Sequence, residues 1–270
     1  KLDKAIDAYI KALSIKPDYA EAYYNMGIAL TDVIFTKPNR DLQKALVSLL
    51  EYQTFVRPKN IVKPAISLLK LEPTLQKYFQ MVEVEVIKNS LDIISDLNAF
   101  PLLLKLMSVC PLPDLELERL LTNLRQGILS NISSVKEASP ELLRFQSALA
   151  LQCFTNEYIY ETTENEDNRL QSLEARVKED LKNNNQPSPW IVLILASYKA
   201  LNEFDWSKFL VVTDHIGEVF SRQIEEPLEE EKLKQKLPIL NEITDSISSE
   251  VRAQYEESPY PRWVNLRLAL

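Results

Sequence analysis

Glycine is scarce in this sequence, with three residues in 270. Loops that hold phosphate groups need glycine, because its missing Cβ lets backbone N–H groups approach the ligand. Gly27, Gly127 and Gly217 stand far apart and form neither a GxGxxG nor a GxxxxGK(S/T) motif. The sequence therefore excludes nucleotide binding by these two routes, and we expect no cofactor in this chain.

Histidine and cysteine are also rare. His215 is the single histidine, so a site built from several histidines cannot form. The two cysteines, Cys110 and Cys153, both lie in apolar surroundings, MSVCPL and ALQCF. A free cysteine behaves as a small apolar residue and is usually buried. We predict two buried free thiols rather than a disulfide or a metal-binding pair.

The chain lacks an excess of basic charge, since its formal net charge is −8 and its pI is about 5.0. Proteins that bind nucleic acid present basic surfaces, and this sequence contains no basic cluster. It also lacks an apolar run of about 18 residues, which a membrane-spanning helix needs, and a signal peptide. We expect a cytoplasmic protein with neither nucleic acid nor membrane as a partner.

Residues 2–30 carry the pattern around which the chain is organised. Small and aromatic residues recur there at the offsets of the second helix of a tetratricopeptide repeat, its closing turn and the next first helix. They are Ala5, Tyr9, Ala12, Pro17, Tyr23, Met26, Gly27 and Leu30. An ordinary amphipathic helix pair is the alternative, but so many matches in one register favour resemblance to the repeat. Small residues let antiparallel helices cross closely, so we expect Gly27 to pack against Ala5 or Ala12.

The order of the predicted helices divides the chain into three parts. A lone second helix leaves its apolar face uncovered, so we expect this sequence to be an interior piece of a longer protein with more repeats upstream. We predict a tetratricopeptide repeat remnant over 1–57 and an irregular, solenoid-like α-helical domain over 58–243. A helix and a linker to a further domain follow over 244–270.

Periodicity predicts an all-α fold for the whole chain. MVEVEV at 81–86 alternates as a strand does, but the apolar spacing that follows favours one helix over 81–97. We predict that Asp114 and Ser139 cap long helices. An amphipathic helix over 190–201 and a helix pair over about 205–224 complete the prediction.

The tail QYEESPYPRW at 254–263 combines two prolines with aromatic residues and an arginine. The prolines exclude a helix there and favour an extended path. We expect the preceding helix to pack on the helical body through Ile243, Ile247, Val251 and Tyr255. The tail is either a linker that docks on its own domain or an interface segment toward a following domain. The interface residues in the second case are Tyr255, Tyr260, Arg262 and Trp263.

LLRFQSALALQCFTNEYIY at 142–160 and this tail together resemble a bacterial protein family. In that family, tetratricopeptide repeats and a helical middle region precede a class I S-adenosylmethionine (AdoMet)-dependent methyltransferase domain. The resemblance extends from the repeat through FVRPKN and KLMSVCPLPDLELERLL to the tail. It implies that this chain is the non-catalytic front of an enzyme and that AdoMet binds only in a domain beyond Leu270. The tail would then contact that catalytic domain.

The resemblance to a tetratricopeptide repeat implies a protein- or peptide-binding scaffold, because first helices of such arrays line a concave surface. The candidate lining residues are Glu21, Tyr24, Asn25, Ile28, Thr31 and Asp32. Asn25 falls where many peptide-binding repeats carry an asparagine, whose amide both donates and accepts hydrogen bonds. A solvent-facing Asn25 without a binding role is the alternative. Repeats of this type also precede protein glycosyltransferases, or form stand-alone interaction scaffolds, and the sequence alone leaves these readings open.

An enzyme contained within this chain would need a cluster of catalytic side chains. Glu164, Glu166 and Asp167 form an acidic cluster, which we interpret as a solvated loop rather than an acid/base pair. His215 lies beside Asp214 and near Glu218, and we interpret it as a surface histidine rather than a catalytic one. We therefore predict that this chain is not an enzyme by itself.

Overall fold

The computed structural model describes residues 2–51, 56–84, 89–135, 137–236 and 245–257. All regular secondary structure in these ranges is helical, which confirms the all-α prediction. In chain order the helices are α1 (Leu2–Ile15), α2 (Ala20–Leu30), α3 (Arg40–Glu51), α4 (Pro58–Leu69), α5 (Pro73–Val84), α6 (Ser90–Leu97), α7 (Pro101–Val109), α8 (Leu115–Ser130), α9 (Pro140–Thr155), α10 (Glu164–Lys182), α11 (Pro189–Ala196), α12 (Gly217–Phe220), α13 (Glu226–Lys234) and α14 (Ser246–Glu257).

Short-range signals explain where many of these helices begin. Helices α4, α5, α7, α9 and α11 each start at a proline, whose missing N–H is not needed in the first turn. The Asp114 carboxylate accepts hydrogen bonds from the backbone N–H groups of Glu116 and Leu117. The Ser139 hydroxyl oxygen accepts one from the N–H of Leu142. Both predicted caps are therefore confirmed.

The first two helices form the predicted hairpin, with a turn at Pro17 and Asp18 between them. Helix α1 packs against α2 and α3, and α2 packs against α4. The nearest neighbour of Gly27 is, however, neither Ala5 nor Ala12. A Cβ at Gly27 would lie 2.5 Å and 2.7 Å from the two γ-methyl groups of Val56, so the close approach is to the segment that enters α4.

Helix α9 is the central helix of the irregular region, and it packs against α6, α7, α11 and α12. Its second half, from Ala148 to Thr155, is entirely buried. This stretch is therefore surrounded by other helices. The repeat hairpin joins the same body through α3 and α4, because α1 packs against α3, α2 packs against α4, and both α3 and α4 pack against α7.

Three predicted helical segments differ from the structure. Helix α11 ends at Ala196 instead of 201, and all of its residues from Trp190 to Ala196 are buried, so it is not amphipathic. The expected pair over 205–224 is a short 3-10 turn, an extended loop and then α12, which continues through a π-helical segment, Ser221–Glu225, into α13. The single helix expected over 81–97 consists of the end of α5 and all of α6, and residues 85–88 lie outside the described ranges.

The π-helical segment contains Gln223, whose side-chain amide is buried and fully hydrogen-bonded. The Gln223 amide is fully buried, and its Nε2 donates to the carbonyl oxygens of Ala150 and Ala196 at 3.2 Å and 3.1 Å. Its Oε1 accepts from the N–H of Leu201 at 3.0 Å. Since a π turn contains one residue more than an α turn, this local widening accompanies the inward placement of the amide.

Candidate functional site

The six predicted lining residues of the repeat are all exposed on or directly after α2. They are Glu21, Tyr24, Asn25, Ile28, Thr31 and Asp32. The opposite face of α2 is buried through Tyr23, Met26, Gly27 and Leu30. Tyr24 and Ile28 are 42% and 55% exposed, which is large for an aromatic and a branched aliphatic residue. Helix α2 thus presents an outward face of two apolar side chains around the Asn25 amide.

The last two of these residues also end the helix. The Thr31 hydroxyl donates to the carbonyl oxygen of Gly27 at 3.2 Å. Asp32 has a φ of 60°, the left-handed conformation that stops a helix. At the other end of the face, the Glu21 carboxylate accepts a 3.3 Å hydrogen bond from the Tyr19 hydroxyl. The part of the face that is most open to a ligand is therefore Glu21, Tyr24, Asn25 and Ile28.

A second concave surface, which sequence reasoning missed, runs along α3. Two cavities of about 810 Å³ and 400 Å³ lie beside this helix, and Val47 and Pro101 line both of them. The two cavities are neighbours that share these lining residues, and we call them together the α3 groove. One stripe of α3 forms a wall of it, at Arg40, Gln43, Lys44, Val47, Ser48 and Glu51. The spacing of three and four residues is that of a single helix face.

Several elements distant in sequence complete the α3 groove. The larger cavity is closed by Glu72, Pro73 and Thr74 at the start of α5 and by 99–102 at the start of α7. The smaller cavity is closed by α7, by Arg144 and Ser147 of α9, and by Asp214, His215 and Glu218. His215 is exposed on this wall, together with both of its acidic neighbours. These residues do not form a buried catalytic constellation.

The interpretation of 164–167 as a loop was wrong, because Thr163 caps α10 there. The Thr163 hydroxyl oxygen accepts from the N–H of Glu166, and the Glu166 carboxylate accepts from the N–H of Thr163 at 2.9 Å. Glu166 is 4% exposed and also accepts from the Tyr198 hydroxyl at 2.6 Å and the Gln126 amide at 3.0 Å. Burial opposes ionisation, but the hydrogen bonds outweigh it, and the pKa of Glu166 lies below its usual value. Glu166 is thus a structural carboxylate.

Arg125 is a buried cation that sequence reasoning also missed. Its side chain is 1% exposed, and its guanidinium donates to the carbonyl oxygens of Tyr160, Glu161 and Ser197. The ring of Tyr198 lies 4.0 Å from the guanidinium carbon. Because carbonyl oxygens and an aromatic face surround it, Arg125 is held by the protein itself and is no substrate-binding cation.

The two cysteines are buried free thiols, as predicted. Burial raises the pKa of both Cys110 and Cys153 to about 12, so neither is a nucleophile at neutral pH. Within the described residues, no group of three or more histidine, cysteine, aspartate or glutamate side chains is arranged to hold a metal ion.

The predicted interface residues of the tail lie mostly beyond the structure. Tyr260, Arg262 and Trp263 fall outside the described residues. Tyr255 is on α14 and is 65% exposed, and Ile247 and Val251 on the same stripe are 70% and 45% exposed. The described part of α14 therefore does not bury this face on the helical body, contrary to the sequence-based expectation, and Ile243 lies outside the described residues.

Comparison with known proteins identifies the N-terminal hairpin. The family model of the TPR (tetratricopeptide) repeat matches residues 1–32, which span α1 and α2. No curated protein and no solved structure matches the chain. No helix in the described part of the chain is both long and apolar enough to cross a membrane. A TPR repeat is thus detected in residues 1–32, and repeats of this kind are typical of protein-interaction scaffolds.

Proposed function

We propose that this chain is a non-catalytic scaffold that binds a protein or peptide segment on the outward face of α2. The observation that carries the proposal is the exposure of Tyr24 and Ile28 beside Asn25 on α2, within the residues that match the TPR repeat. The apolar side chains provide contact area, and the amide can pair with a peptide backbone whatever its sequence. Glu21 and Asp32 add negative charge at both ends of the face.

The proposed mechanism is binding alone, so each side chain acts by contact. An extended segment that crosses α2 would place one peptide unit against the Asn25 amide, which both donates to a C=O and accepts from an N–H. Its flanking side chains would pack on Tyr24 and Ile28, removing apolar surface from water. The carboxylate of Glu21 would favour a basic residue nearby.

Binding to variants of α2 tests this proposal. Peptides selected from a displayed random library against the 270-residue chain should include a class that depends on this face. Asn25→Ala should weaken that class about tenfold, since it removes two hydrogen bonds from an interface. Lys11→Ala, on the exposed side of α1, is the control. If every selected peptide binds Asn25→Ala and Tyr24→Ala as tightly as the unchanged chain, α2 is not a binding face.

We further propose that the scaffold serves a class I AdoMet-dependent methyltransferase domain in the same bacterial, cytoplasmic protein. The support is the sequence resemblance of 142–160 and 254–263. The exposed stripe of α14 agrees with it, because that helix leads directly into the tail. In this proposal Tyr255, Tyr260, Arg262 and Trp263 contact the catalytic domain, so that a substrate held by the repeat meets the active site.

The sequence that follows Leu270 in the gene decides this second proposal. A glycine-rich loop after a strand supports a methyltransferase, whereas a sugar-nucleotide-binding domain supports a protein glycosyltransferase instead. Calorimetry with AdoMet on the 270-residue chain should give only the heat of dilution. Micromolar binding would place the cofactor site in this chain and contradict the proposed division of roles.

A further inference from the structure

We infer that the α3 groove is a second binding site, separate from the α2 face, and that it takes an extended peptide segment. The segment carries an acidic side chain at one end and a basic side chain about four residues away. The length of the groove determines how many residues the peptide segment has. The opposite charges at the two ends of the groove determine which charged side chains the peptide carries.

The length follows from α3 itself. The lining stripe extends from Arg40 to Glu51, which is about 16 Å along the helix axis at about 1.5 Å per residue. An extended chain advances about 3.3 Å per residue, so about five peptide residues match this length. The middle of the groove is apolar where Val47 faces Pro101, with Leu104 and Ala148 nearby. A small apolar residue therefore fits at the centre of the segment.

The end of the groove near Arg40 is positive. Arg40 and Lys44 line it, and its one carboxylate, Glu72, is already used within the protein. Glu72 is 5% exposed, accepts a 2.8 Å hydrogen bond from the Gln43 amide and lies 3.8 Å from Arg40. Lys44 is paired with Asp41 at 3.4 Å, but both side chains are more than 70% exposed, and such pairs are weak. Its ammonium group is accordingly available for an acidic ligand side chain.

Two helix ends reinforce this positive charge. The first residues of α5 and α7 line the same cavity, and a helix N-terminus carries a partial positive charge. The N-cap residue of α7, Phe100, supplies no side-chain hydrogen bond to its first turn. An acidic side chain seated between Lys44 and these helix ends would meet two cationic side chains and two helix N-termini, which offset the nearby carboxylates of Asp41 and Glu72.

The opposite end of the groove is negative. Glu51, Asp214 and Glu218 are exposed there, against two cations, Lys105 and Arg144. Arg144 is committed in part, because its Nε donates to the Asn98 amide oxygen at 3.1 Å. Three carboxylates thus exceed the positive charge, and a basic ligand side chain is favoured. The charges of the two ends are opposite, which selects a segment with opposite charges at its own ends.

Charge-reversal variants of the groove test this inference, because each variant should select displayed peptides with a different pattern of charged residues. The unchanged chain should select displayed heptapeptides with one acidic and one basic residue three to five positions apart. Lys44→Glu makes both ends negative and should select peptides with two basic residues. Glu51→Lys makes both ends positive and should select peptides with two acidic residues. Both positions are exposed on α3, and circular dichroism melting checks that each variant is folded.

Glu179→Lys on α10 is the matched control, since it makes the same charge change as Glu51→Lys at an exposed position outside both the groove and the α2 face. It should leave the selected charge pattern unchanged. For a selected peptide labelled with fluorescein, reversing one of its charges should weaken binding about tenfold in polarisation titrations, and the matching groove variant should restore it. Each charge-reversal variant changes one end, so the restoration assigns that end of the peptide to that end of the groove.

The inference is overturned if Lys44→Glu and Glu51→Lys select the same peptides as the unchanged chain. It is also overturned if no peptide with opposite charges is selected. Neither result touches the α2 proposal, because peptides that depend on Asn25 and Tyr24 form a separate class. Loss of that class alone would remove the α2 face and leave the α3 groove as the binding site.

Discussion

The guanidinium of Arg125 lies 4.0 Å from the ring centroid of Tyr198, and the hydroxyl of the same tyrosine donates a 2.6 Å hydrogen bond to Glu166. One side chain therefore contacts a buried cation with its face and a buried carboxylate with its hydroxyl. Buried charges are tolerated only when they have partners. The three residues connect α8, α10 and the end of α11 into one polar unit inside an apolar body.

Replacing Arg125 by methionine should strongly destabilise the fold. The carbonyl oxygens of Tyr160, Glu161 and Ser197 would lose their donor, and we expect the free energy of unfolding to fall by about 3 kcal/mol or more. Urea unfolding followed by far-UV circular dichroism measures this change. Arg119→Met, at an exposed position of the same helix, is the control. Equal effects of the two substitutions would contradict the role of the buried guanidinium.

The contribution of Glu166 should depend on pH. Its pKa is lower in the folded chain than in the unfolded chain, so its ionised form stabilises the fold above the unfolded pKa of about 4.3. This contribution is lost as the pH falls through the lower, folded pKa. Glu166→Gln should therefore be less stable than the unchanged chain at pH 7, with the difference shrinking below about pH 4. A difference that stays constant across urea titrations from pH 7 to pH 3 would contradict this assignment.

Both thiols should be unreactive in the folded chain. Burial and a pKa of about 12 leave almost no accessible thiolate at pH 8 for Cys110 or Cys153. Ellman's reagent should label neither cysteine rapidly in the native state and both in urea. Rapid stoichiometric labelling of native protein would show that this part of the core opens readily.

The close contact between Gly27 and Val56 predicts that the effect of a substitution at Gly27 on stability depends on the side chain at position 56. Gly27→Ala alone should destabilise the fold by about 1–3 kcal/mol, because the added methyl group overlaps both γ-methyl groups of Val56. With Val56→Ala already present, the same substitution should cost much less, because only the Cβ of residue 56 remains, at 3.1 Å, and alanine is the better helix former. Thermal melts of the four variants of this cycle measure the coupling. Additive effects would show that Val56 is not the limiting neighbour.

The exposed stripe of α14 should contribute little to the stability of this chain. Val251→Ser is expected to change the free energy of unfolding by no more than about 0.5 kcal/mol, as is usual for surface positions. Leu149→Ser, in the fully buried part of α9, should cost several times more. A large loss from Val251→Ser would mean that α14 packs on the body after all. In a longer protein with a catalytic domain, the same substitution should reduce activity if the proposed interface forms.

Local signals in the sequence predicted much of the fold. Features that depend on contacts between residues far apart in the sequence were missed. Asp114 and Ser139 act within three residues of themselves, and the α2 face follows from the period of a single helix. The end of α11 was missed because an apolar run does not show where a fully buried helix stops. The α3 groove joins residues from Arg40 to Glu218, and no periodicity links such distant positions.

Arg125 left one signal in the sequence that was overlooked. It occupies the apolar stripe of α8, four residues after Leu121 and three before Ile128, where a cation needs buried partners. Its partners lie 35 to 72 residues further along the chain, so the sequence alone does not identify them. For the same reason, the inward placement of Gln223 was not predictable from its neighbours.

The one extra residue of the π-helical segment determines how α13 is rotated about its axis relative to α12. Deleting a single residue within Ser221–Glu225 would return that turn to about 3.6 residues. Every later position of the helix would then rotate by about 100° about its axis relative to α12. Among the described residues, Gln223 alone bonds Ala150, Ala196 and Leu201 together, and a deletion at Ser221 or Arg222 would turn it away from all three. Deleting one residue at this point would therefore change which side of the charged helix α13 faces the protein, although the sequence of α13 stays the same.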